Sequence, residues 1–113
     1  NPNVILCERG IRTFETYTRN TLDLSIVPSV KEVSHLPIVV DPSHGTGRLS
    51  IIESMSMAAM AAGADGILIE VHCNPCEAIC DKDQAMPPDM FAGLMTKLKG
   101  LHAYMHGSNE SVI

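Results

Sequence analysis

Residues 36–47, LPIVVDPSHGTG, join a short apolar run to a polar and glycine-rich segment. The run from Pro37 to Val40 does not alternate polar with apolar side chains, which is typical of a strand buried on both faces of a parallel sheet. Asp41 and His44 follow directly after this strand. Because α/β proteins place their functional groups at the carboxyl ends of parallel strands, the stretch predicts both a sheet and the position of its chemistry.

Two further apolar runs, residues 4–7 and 67–69, are interpreted as buried strands of the same kind. The three predicted strands start about thirty residues apart, which is the repeat of a strand–helix unit. After each strand, apolar residues recur with the spacing of one helix face. The predicted helices cover residues 26–33, residues 49–60 with Gly63 as C-cap, and residues 91–105 opened by Pro87-Pro88-Asp89. The sequence therefore predicts an α/β domain with parallel strands.

This order of elements fits either a doubly wound sheet or part of a (β/α)8 barrel. A barrel of about 250 residues uses roughly 31 residues for each unit, so 113 residues hold three units. Three units leave two strand edges bare and one sheet face uncovered, which predicts an incomplete domain or one completed by partner chains. The chain starts with Asn1 rather than Met, which suggests that either its start has been removed or it is a piece of a longer protein. We expect the partial barrel domain to cover residues 1–106 and a polar, frayed tail to cover residues 107–113.

Charge and hydropathy exclude several classes of protein. The formal net charge is −5, the pI is near 5.4, and the eight Lys and Arg residues are scattered, which argues against nucleic-acid or anionic-membrane binding. The longest apolar run, residues 57–62, is far shorter than the roughly 20 residues of a membrane helix. No basic-then-apolar leader opens the chain, so we expect a cytoplasmic protein.

The chain has four cysteines, which in a chain without an export leader predict reduced thiols rather than disulfides. Cys73, Cys76 and Cys80 follow His72 closely and suggest either a soft metal site or free thiols on a loop. Zinc and iron–sulfur sites need four ligands at recognised spacings, and no second cysteine pair is present. The free-thiol interpretation is therefore favoured.

Charged and imidazole groups follow all three predicted strands. His44, Glu70 and either Asp81 or Asp83 make a mixed nitrogen and oxygen set that suits a divalent ion such as Mn²⁺, Fe²⁺ or Zn²⁺. The alternatives are that His44 is a hydrogen-bonded core group and that Glu70 is an ion-pair partner of Arg9. The residue types favour functional use of this edge of the sheet.

Arg9 and a short glycine-rich segment are two candidate anion-binding features. Arg9 follows the first strand, where its planar guanidinium can bind a phosphate or carboxylate through two hydrogen bonds. A structural ion pair with Glu8 or Glu70 is the alternative. Gly45-Thr46-Gly47 would let backbone N–H groups approach an anion, although a plain turn is the favoured interpretation.

Three segments together carry a specific family resemblance. Residues 3–20, NVILCERGIRTFETYTRN, residues 36–47 and residues 64–72, ADGILIEVH, closely resemble 3-deoxy-D-arabino-heptulosonate 7-phosphate (DAHP) synthase. The likeness is to the bacterial form that is related to 3-deoxy-D-manno-octulosonate 8-phosphate synthase, and it extends over about residues 1–100. It implies a (β/α)8 TIM barrel in which these segments are the last three strands and helices.

The resemblance implies an enzyme that condenses phosphoenolpyruvate with erythrose 4-phosphate and releases phosphate, at the start of aromatic amino acid biosynthesis. The family holds a divalent ion (Mn²⁺, Fe²⁺, Co²⁺ or Zn²⁺) with a Cys, a His, a Glu and an Asp. By resemblance, His44, Glu70 and Asp81 are metal ligands. Arg9 matches the arginine that binds the phosphate of phosphoenolpyruvate, and Asp41 lines the same pocket.

Parts of the family pattern do not occur in this sequence. The family's cysteine ligand and its phosphate-binding lysines lie upstream of the matched region, and Cys7 does not match that ligand. We therefore expect the isolated chain to be inactive and the complete enzyme to be a homo-oligomer. A 3-deoxy-D-manno-octulosonate 8-phosphate synthase and a non-catalytic assembly or binding module remain alternatives, while CERGIRTFE and TRN favour the heptulosonate branch.

Overall fold

The computed structural model of the chain describes residues 1–73 and 84–107. Within these ranges, strands and helices follow the alternating order predicted from the sequence. They are β1 (Leu6–Glu8), α1 (Ile26–Val33), β2 (Ile38–Val40), α2 (Pro42–Thr46), α3 (Leu49–Ala61), β3 (Gly66–Ile67) and α4 (Pro88–Met105). The predicted α/β class with a parallel sheet is confirmed. Cys76, Cys80, Asp81, Asp83 and residues 108–113 of the tail lie outside the described residues.

The strands form one parallel sheet in the order β1-β2-β3. Leu6 pairs with Ile38, and Val40 pairs with Ile67. Because parallel strands run in the same direction, the segments that follow all three strands leave from the same edge of the sheet. This edge is called the carboxyl edge below.

One face of the sheet is covered by helices. Val27 of α1 and Ala59 of α3 pack with Ile38 and Val40 of β2 in a buried cluster. A second cluster lies between α3 and α4, and Ile67 contacts both clusters. The buried members of the second cluster are Ile52, Met86, Leu94 and Leu98. The two clusters fix α1, α3 and α4 relative to the central strand.

The opposite face of the sheet is open in the described part of the chain, so the expectation that the strands are buried on both faces was wrong, even for β2, where Val39 is only partly buried. Only β2 has buried residues along its length. Ile5 and Leu68 are 65% and 51% exposed. The physical reason is that β1 and β3 are the edges of this sheet, and no other layer of the described residues covers its second face. The bare edges and uncovered face expected for three strand–helix units are present.

The helix ends follow the predicted signals. Gly63 adopts a positive φ of 102° after α3, and its N–H donates to the Met60 carbonyl, while the Ala64 N–H donates to the Ala59 carbonyl. This pair of bonds is a glycine C-cap, as predicted. Pro88 occupies the first turn of α4, where a missing N–H is tolerated.

No described helix is both long and apolar enough to cross a membrane.

The short helix α2 was not predicted. Asp41 caps its N-terminus, Pro42 stands at its first position, and Gly47 ends it in a left-handed conformation with φ 65°. The plain turn expected at residues 45–47 is therefore wrong for Gly45 and Thr46, which belong to α2. The helix is only five residues long, too short for a hydrophobic periodicity to appear in the sequence.

Candidate active site at the carboxyl edge of the sheet

His44 and Glu70 meet at the carboxyl edge, as the sequence predicted. His44 lies in α2 after β2, and Glu70 lies just beyond β3. The distance from His44 Nε2 to Glu70 Oε1 is 3.4 Å, and the two side chains are 25% and 30% exposed. An imidazole nitrogen and a carboxylate oxygen thus face the same partly buried space.

Asp41 fixes the orientation of the His44 ring. Its Oδ1 accepts the backbone N–H of His44 at 2.9 Å, and its Oδ2 lies 2.7 Å from His44 Nδ1. Because a carboxylate can only accept, Nδ1 carries the proton of this hydrogen bond, and Nε2 is the nitrogen that faces Glu70. The Asp41 side chain is only 6% exposed, so water competes little for these bonds.

Ser43 holds the other candidate ligand. Its hydroxyl oxygen accepts the backbone N–H of Glu70 at 2.9 Å, and the residue is fully buried. The backbone N–H of Asp41 in turn donates to the Glu8 carbonyl at 2.9 Å. These bonds tie the ends of the three strands together. Sequence reasoning missed Ser43, because a serine beside a helix start ordinarily indicates only a turn or a cap.

Arg9 pairs with Asp41 rather than with Glu8 or Glu70, the partners considered from the sequence. Its Nε lies 3.5 Å from Asp41 Oδ2, and 61% of its side chain is exposed. Glu8 instead accepts the backbone N–H groups of Gly10 and Asp23 at 3.1 and 3.0 Å. The Arg9 guanidinium is therefore held on one side and accessible to a ligand on the other.

Two open pockets adjoin His44. The larger, about 390 Å³, is lined by Arg9, Gly10, Arg19, Asn20 and His44. The smaller, about 200 Å³, is lined by Asp41, His44, Leu68, Ile69 and Glu70. His44 belongs to both pockets. A ligand at the arginine-lined pocket would thus lie next to the imidazole that faces Glu70.

Arg19 is a pocket residue that sequence reasoning did not single out. Its Nη1 donates to Oε1 of Gln84 at 2.8 Å, and Gln84 is only 2% exposed. The sequence signal for Arg19 was its place in the TRN segment of the family resemblance. Gln84 carries no motif and no periodicity, so the sequence offered no signal for it.

The chain returns to Glu70 after residues 74–83, which lie outside the described residues. Met86 donates its N–H to the Glu70 carbonyl at 2.8 Å, and His72 donates its N–H to the Met86 carbonyl at 3.0 Å. Met86 is buried in the α3–α4 cluster, which anchors this return. Met86, which follows these residues in the chain, is thus bonded to the backbone next to the predicted glutamate ligand.

Gly45 and Gly47 let the loop between β1 and α1 pack closely on α2. A Cβ on Gly45 would lie 2.5 Å from Leu22 Cδ2, and one on Gly47 would lie 2.7 Å from Arg19 Cβ. The backbone N–H groups of Arg19 and Asn20 donate to the carbonyls of α2 at 2.9 and 3.0 Å. Close packing therefore explains both glycines, and it brings Arg19 to the pocket.

Cys7 lies on β1 below this cluster. Burial raises the pKa of the Cys7 thiol, and the nearby negative charge of Asp41 raises it further. Cys7 and Cys73 are both exposed, and both are free thiols.

Comparison with known proteins identifies the family of this chain. The model of the DAHP synthetase I family matches residues 1–106. The chain belongs to the DAHP synthetase I family. It is 52% identical over 101 residues to the phospho-2-dehydro-3-deoxyheptonate aldolase of Thermotoga maritima. The aligned region covers 89% of this chain and 30% of that protein. The 2-dehydro-3-deoxyphosphooctonate aldolase of Desulfosudis oleivorans is 32% identical over 109 residues, which cover 38% of its length.

Solved structures show the same fold for this part of the family. A crystal structure of the Thermotoga maritima DAHP synthase superposes with a TM-score of 0.88 and 50% sequence identity, over 89% of this chain and 30% of that chain. A truncated form of the Thermotoga maritima 3-deoxy-D-arabino-heptulosonate 7-phosphate synthase matches equally well, with 38% of its chain covered. The present chain thus spans about a third of the length of these family members.

The donor groups of this family member fit a divalent ion. His44 Nε2 and Glu70 Oε1 lie 3.4 Å apart and are an imidazole nitrogen and a carboxylate oxygen, the donor types that suit a borderline divalent ion. A histidine whose second nitrogen donates to a carboxylate is the usual arrangement of a metal-binding imidazole. Among residues 1–73 and 84–107, no group of three or more His, Cys, Asp or Glu side chains is close enough to hold a metal. The third predicted ligand, Asp81, lies outside these ranges.

Proposed function

We propose that this chain is part of a 3-deoxy-7-phosphoheptulonate (DAHP) synthase and forms the last three strand–helix units of its (β/α)8 barrel. The observation that carries the proposal is the cluster of His44, Glu70 and Arg9 at the carboxyl edge of a parallel sheet. Barrel enzymes place their active sites at this edge. The open face and bare edges of the sheet are consistent with a barrel that the rest of a longer chain completes.

The proposed reaction joins phosphoenolpyruvate to the aldehyde carbon of erythrose 4-phosphate. One carbon–carbon bond forms, one water molecule is added, and inorganic phosphate leaves. His44, Glu70 and Asp81 would hold a divalent ion, Mn²⁺, Fe²⁺, Co²⁺ or Zn²⁺, together with a cysteine from elsewhere in the protein. When bound, this ion would supply Lewis-acid polarisation of the aldehyde oxygen. Asp81 enters this set through the family resemblance.

Arg9 would bind the phosphate of phosphoenolpyruvate. Its guanidinium is exposed to the 390 Å³ pocket and is fixed from behind by Asp41. A planar fork of donors suits two phosphate oxygens. Because His44 lines the same pocket, this arrangement would hold the reacting groups side by side and lower the entropic part of the barrier.

The relatives favour erythrose 4-phosphate over arabinose 5-phosphate as the aldehyde. The heptonate aldolase is 52% identical to this chain, whereas the phosphooctonate aldolases are 31–33% identical. The alternative function is therefore the octulosonate 8-phosphate synthase reaction, which differs only in the aldehyde. A cytoplasmic location and a homo-oligomeric enzyme stay predictions.

The test is an activity assay of the full-length gene product with phosphoenolpyruvate, Mn²⁺ and each aldehyde in turn. We expect consumption of phosphoenolpyruvate and release of phosphate with erythrose 4-phosphate, and at least tenfold slower turnover with arabinose 5-phosphate. A chelator should abolish activity, and added Mn²⁺ should restore it. The 113-residue chain alone should show no turnover.

Substitutions separate the metal proposal from general damage to the fold. His44→Ala and Glu70→Ala should each lower kcat by at least about 100-fold, because even outer partners of metal ligands contribute 10- to 100-fold. Glu53→Ala is the matched control, since Glu53 forms an exposed ion pair with Lys97 on the helices, away from the carboxyl edge. Full activity of His44→Ala, or equal rates with both aldehydes, would contradict the proposal.

A further inference from the structure

We propose that Asp41 is a positioning residue that links the metal-binding histidine to the phosphate-binding arginine, and that its carboxylate does not contact substrate. The inference rests on the proposed function, because His44 and Arg9 have those roles only in the synthase reaction. It differs from the expectation that Asp41 lines the substrate pocket as a binding residue.

The two oxygens of Asp41 have three protein nitrogens around them, two in hydrogen bonds and one in an ion pair. Oδ1 accepts the backbone N–H of His44, while Oδ2 lies 2.7 Å from His44 Nδ1 and 3.5 Å from Arg9 Nε. With 6% of the side chain exposed, little of the carboxylate is left for a ligand. Arg9, at 61% exposed, is open to a ligand on its outer side. The arginine is thus the group that reaches the ligand, and the aspartate stands behind it.

Capping of α2 does not by itself require a carboxylate. Serine, threonine or asparagine at this position would accept the His44 N–H equally well. The second oxygen is what these residues cannot supply, because it binds the imidazole and also forms an ion pair with a guanidinium. Asparagine has one acceptor oxygen, so its NH₂ group would face either the backbone N–H of His44 or the imidazole and the guanidinium. The contacts of Oδ2 therefore explain why an aspartate, rather than another capping residue, occupies position 41.

Through Oδ2, Asp41 would act on both halves of the site. The bond to Nδ1 fixes the tautomer in which Nε2 carries the lone pair and faces Glu70. The same oxygen holds Arg9 beside the ring, in the pocket that His44 also lines. A single atom therefore sets the spacing between the metal site and the phosphate site.

The test measures Mn²⁺ affinity and steady-state kinetics in the full-length protein for Asp41→Asn and Asp41→Ser. Asp41→Ser keeps a helix cap but loses both contacts of Oδ2, so it separates positioning from capping. We expect Mn²⁺ binding to weaken about 10- to 100-fold in both variants, with KM for phosphoenolpyruvate raised severalfold. Asp65→Asn is the matched control, because the Asp65 carboxylate also accepts from a backbone N–H and from a cationic side chain. Asp65 lies beside the opposite end of β2, at Ile38.

His44→Ala and Arg9→Ala serve as references. If His44→Ala loses Mn²⁺ but both Asp41 variants bind within twofold of the parent, the positioning proposal is wrong and the metal assignment stands. If His44→Ala itself binds Mn²⁺ as the parent does, the metal assignment fails and the positioning proposal with it. Loss of Mn²⁺ affinity in Asp41→Ser with an unchanged melting temperature supports the proposal, and an equal loss in Asp65→Asn contradicts it.

Discussion

An aspartate lies near each end of the central strand β2. Asp41 follows β2 in the chain, whereas Asp65 precedes β3 and contacts the first residue of β2. The two aspartates have similar partners in different surroundings. Asp41, at the carboxyl edge, binds a backbone N–H and a side-chain nitrogen and lies close to Arg9. Asp65, at the opposite end, binds the Ile38 N–H at 2.9 Å and Lys31 Nζ at 2.8 Å. The Asp41 side chain is 6% exposed, whereas that of Asp65 is 40% exposed.

The comparison separates a functional end of the sheet from a structural end. The Lys31 ammonium and the Ile38 N–H hold the pKa of Asp65 below its ordinary value. Asp41 instead joins two groups that line pockets. In barrel enzymes, residues at the carboxyl ends of strands serve catalysis and those at the amino ends serve stability. We expect the two aspartates to follow that division.

The largest expected effect concerns the tight packing at the functional end. Gly47→Ala should destabilise the protein by about 3 kcal/mol, because φ is 65° and the new Cβ would lie 2.7 Å from Arg19 Cβ. Gly93→Ala is the matched control, since nothing lies within 4 Å of a Cβ there. It should stabilise α4 by about 0.5–1 kcal/mol. Urea unfolding measures both, and a neutral Gly47→Ala would show that the loop is not held closely against α2.

A smaller effect is expected from the two cations beside the aspartates. Arg9→Ala should raise KM for phosphoenolpyruvate by roughly thirtyfold, about 2 kcal/mol, through loss of a charge-assisted contact to phosphate. Lys31→Ala, which removes the cation of the structural end, should leave KM and kcat unchanged. Steady-state kinetics of the full-length protein give both values. Equal changes in KM for the two variants would remove the distinction between the two ends.

The smallest expected effect is a pH dependence from Asp65. Because its pKa is lower in the folded than in the unfolded protein, the stability that Asp65 contributes is present above the ordinary value of 3.8 and is lost as the pH falls below it. The contribution should stay under about 1 kcal/mol, since the ion pair is exposed.

The measurement is the difference in melting temperature between the parent and Asp65→Asn at pH 6 and at pH 3. The parent should be more stable at pH 6, and the difference should shrink toward pH 3. A difference that grows on acidification would mean that the sign of the pKa shift is wrong.

The sequence predicted the order of elements because each element carries its own local signal. The apolar runs preceding Glu8, Asp41 and Glu70 mark the three strands, and Gly63 marks the end of α3. The meeting of His44 and Glu70 was also predictable, since parallel strands bring their carboxyl ends to one edge. These predictions needed only periodicity and strand direction.

Other features depend on contacts between residues far apart in the chain. Nothing near Arg9 in the sequence shows that its partner is Asp41, 32 positions later, rather than Glu8 beside it. The bond between Arg19 and Gln84 spans 65 positions. Ser43 resembles an ordinary turn residue until the Glu70 N–H is placed against it. Local propensity carries no information about such pairs.

The sequence by itself determined the α/β class, the polar edge of the sheet and the family, because hydrophobic periodicity and the CERG, DPSHG and IEVH segments are local patterns. Only the tertiary structure decided that the strand order is β1-β2-β3, and that Asp41 stands between His44 and Arg9. The physical reason is that burial and hydrogen-bond partnership are properties of the packed chain. Asp41 and Asp65 are the same residue type, and each acquires its role from the groups that the fold brings to it.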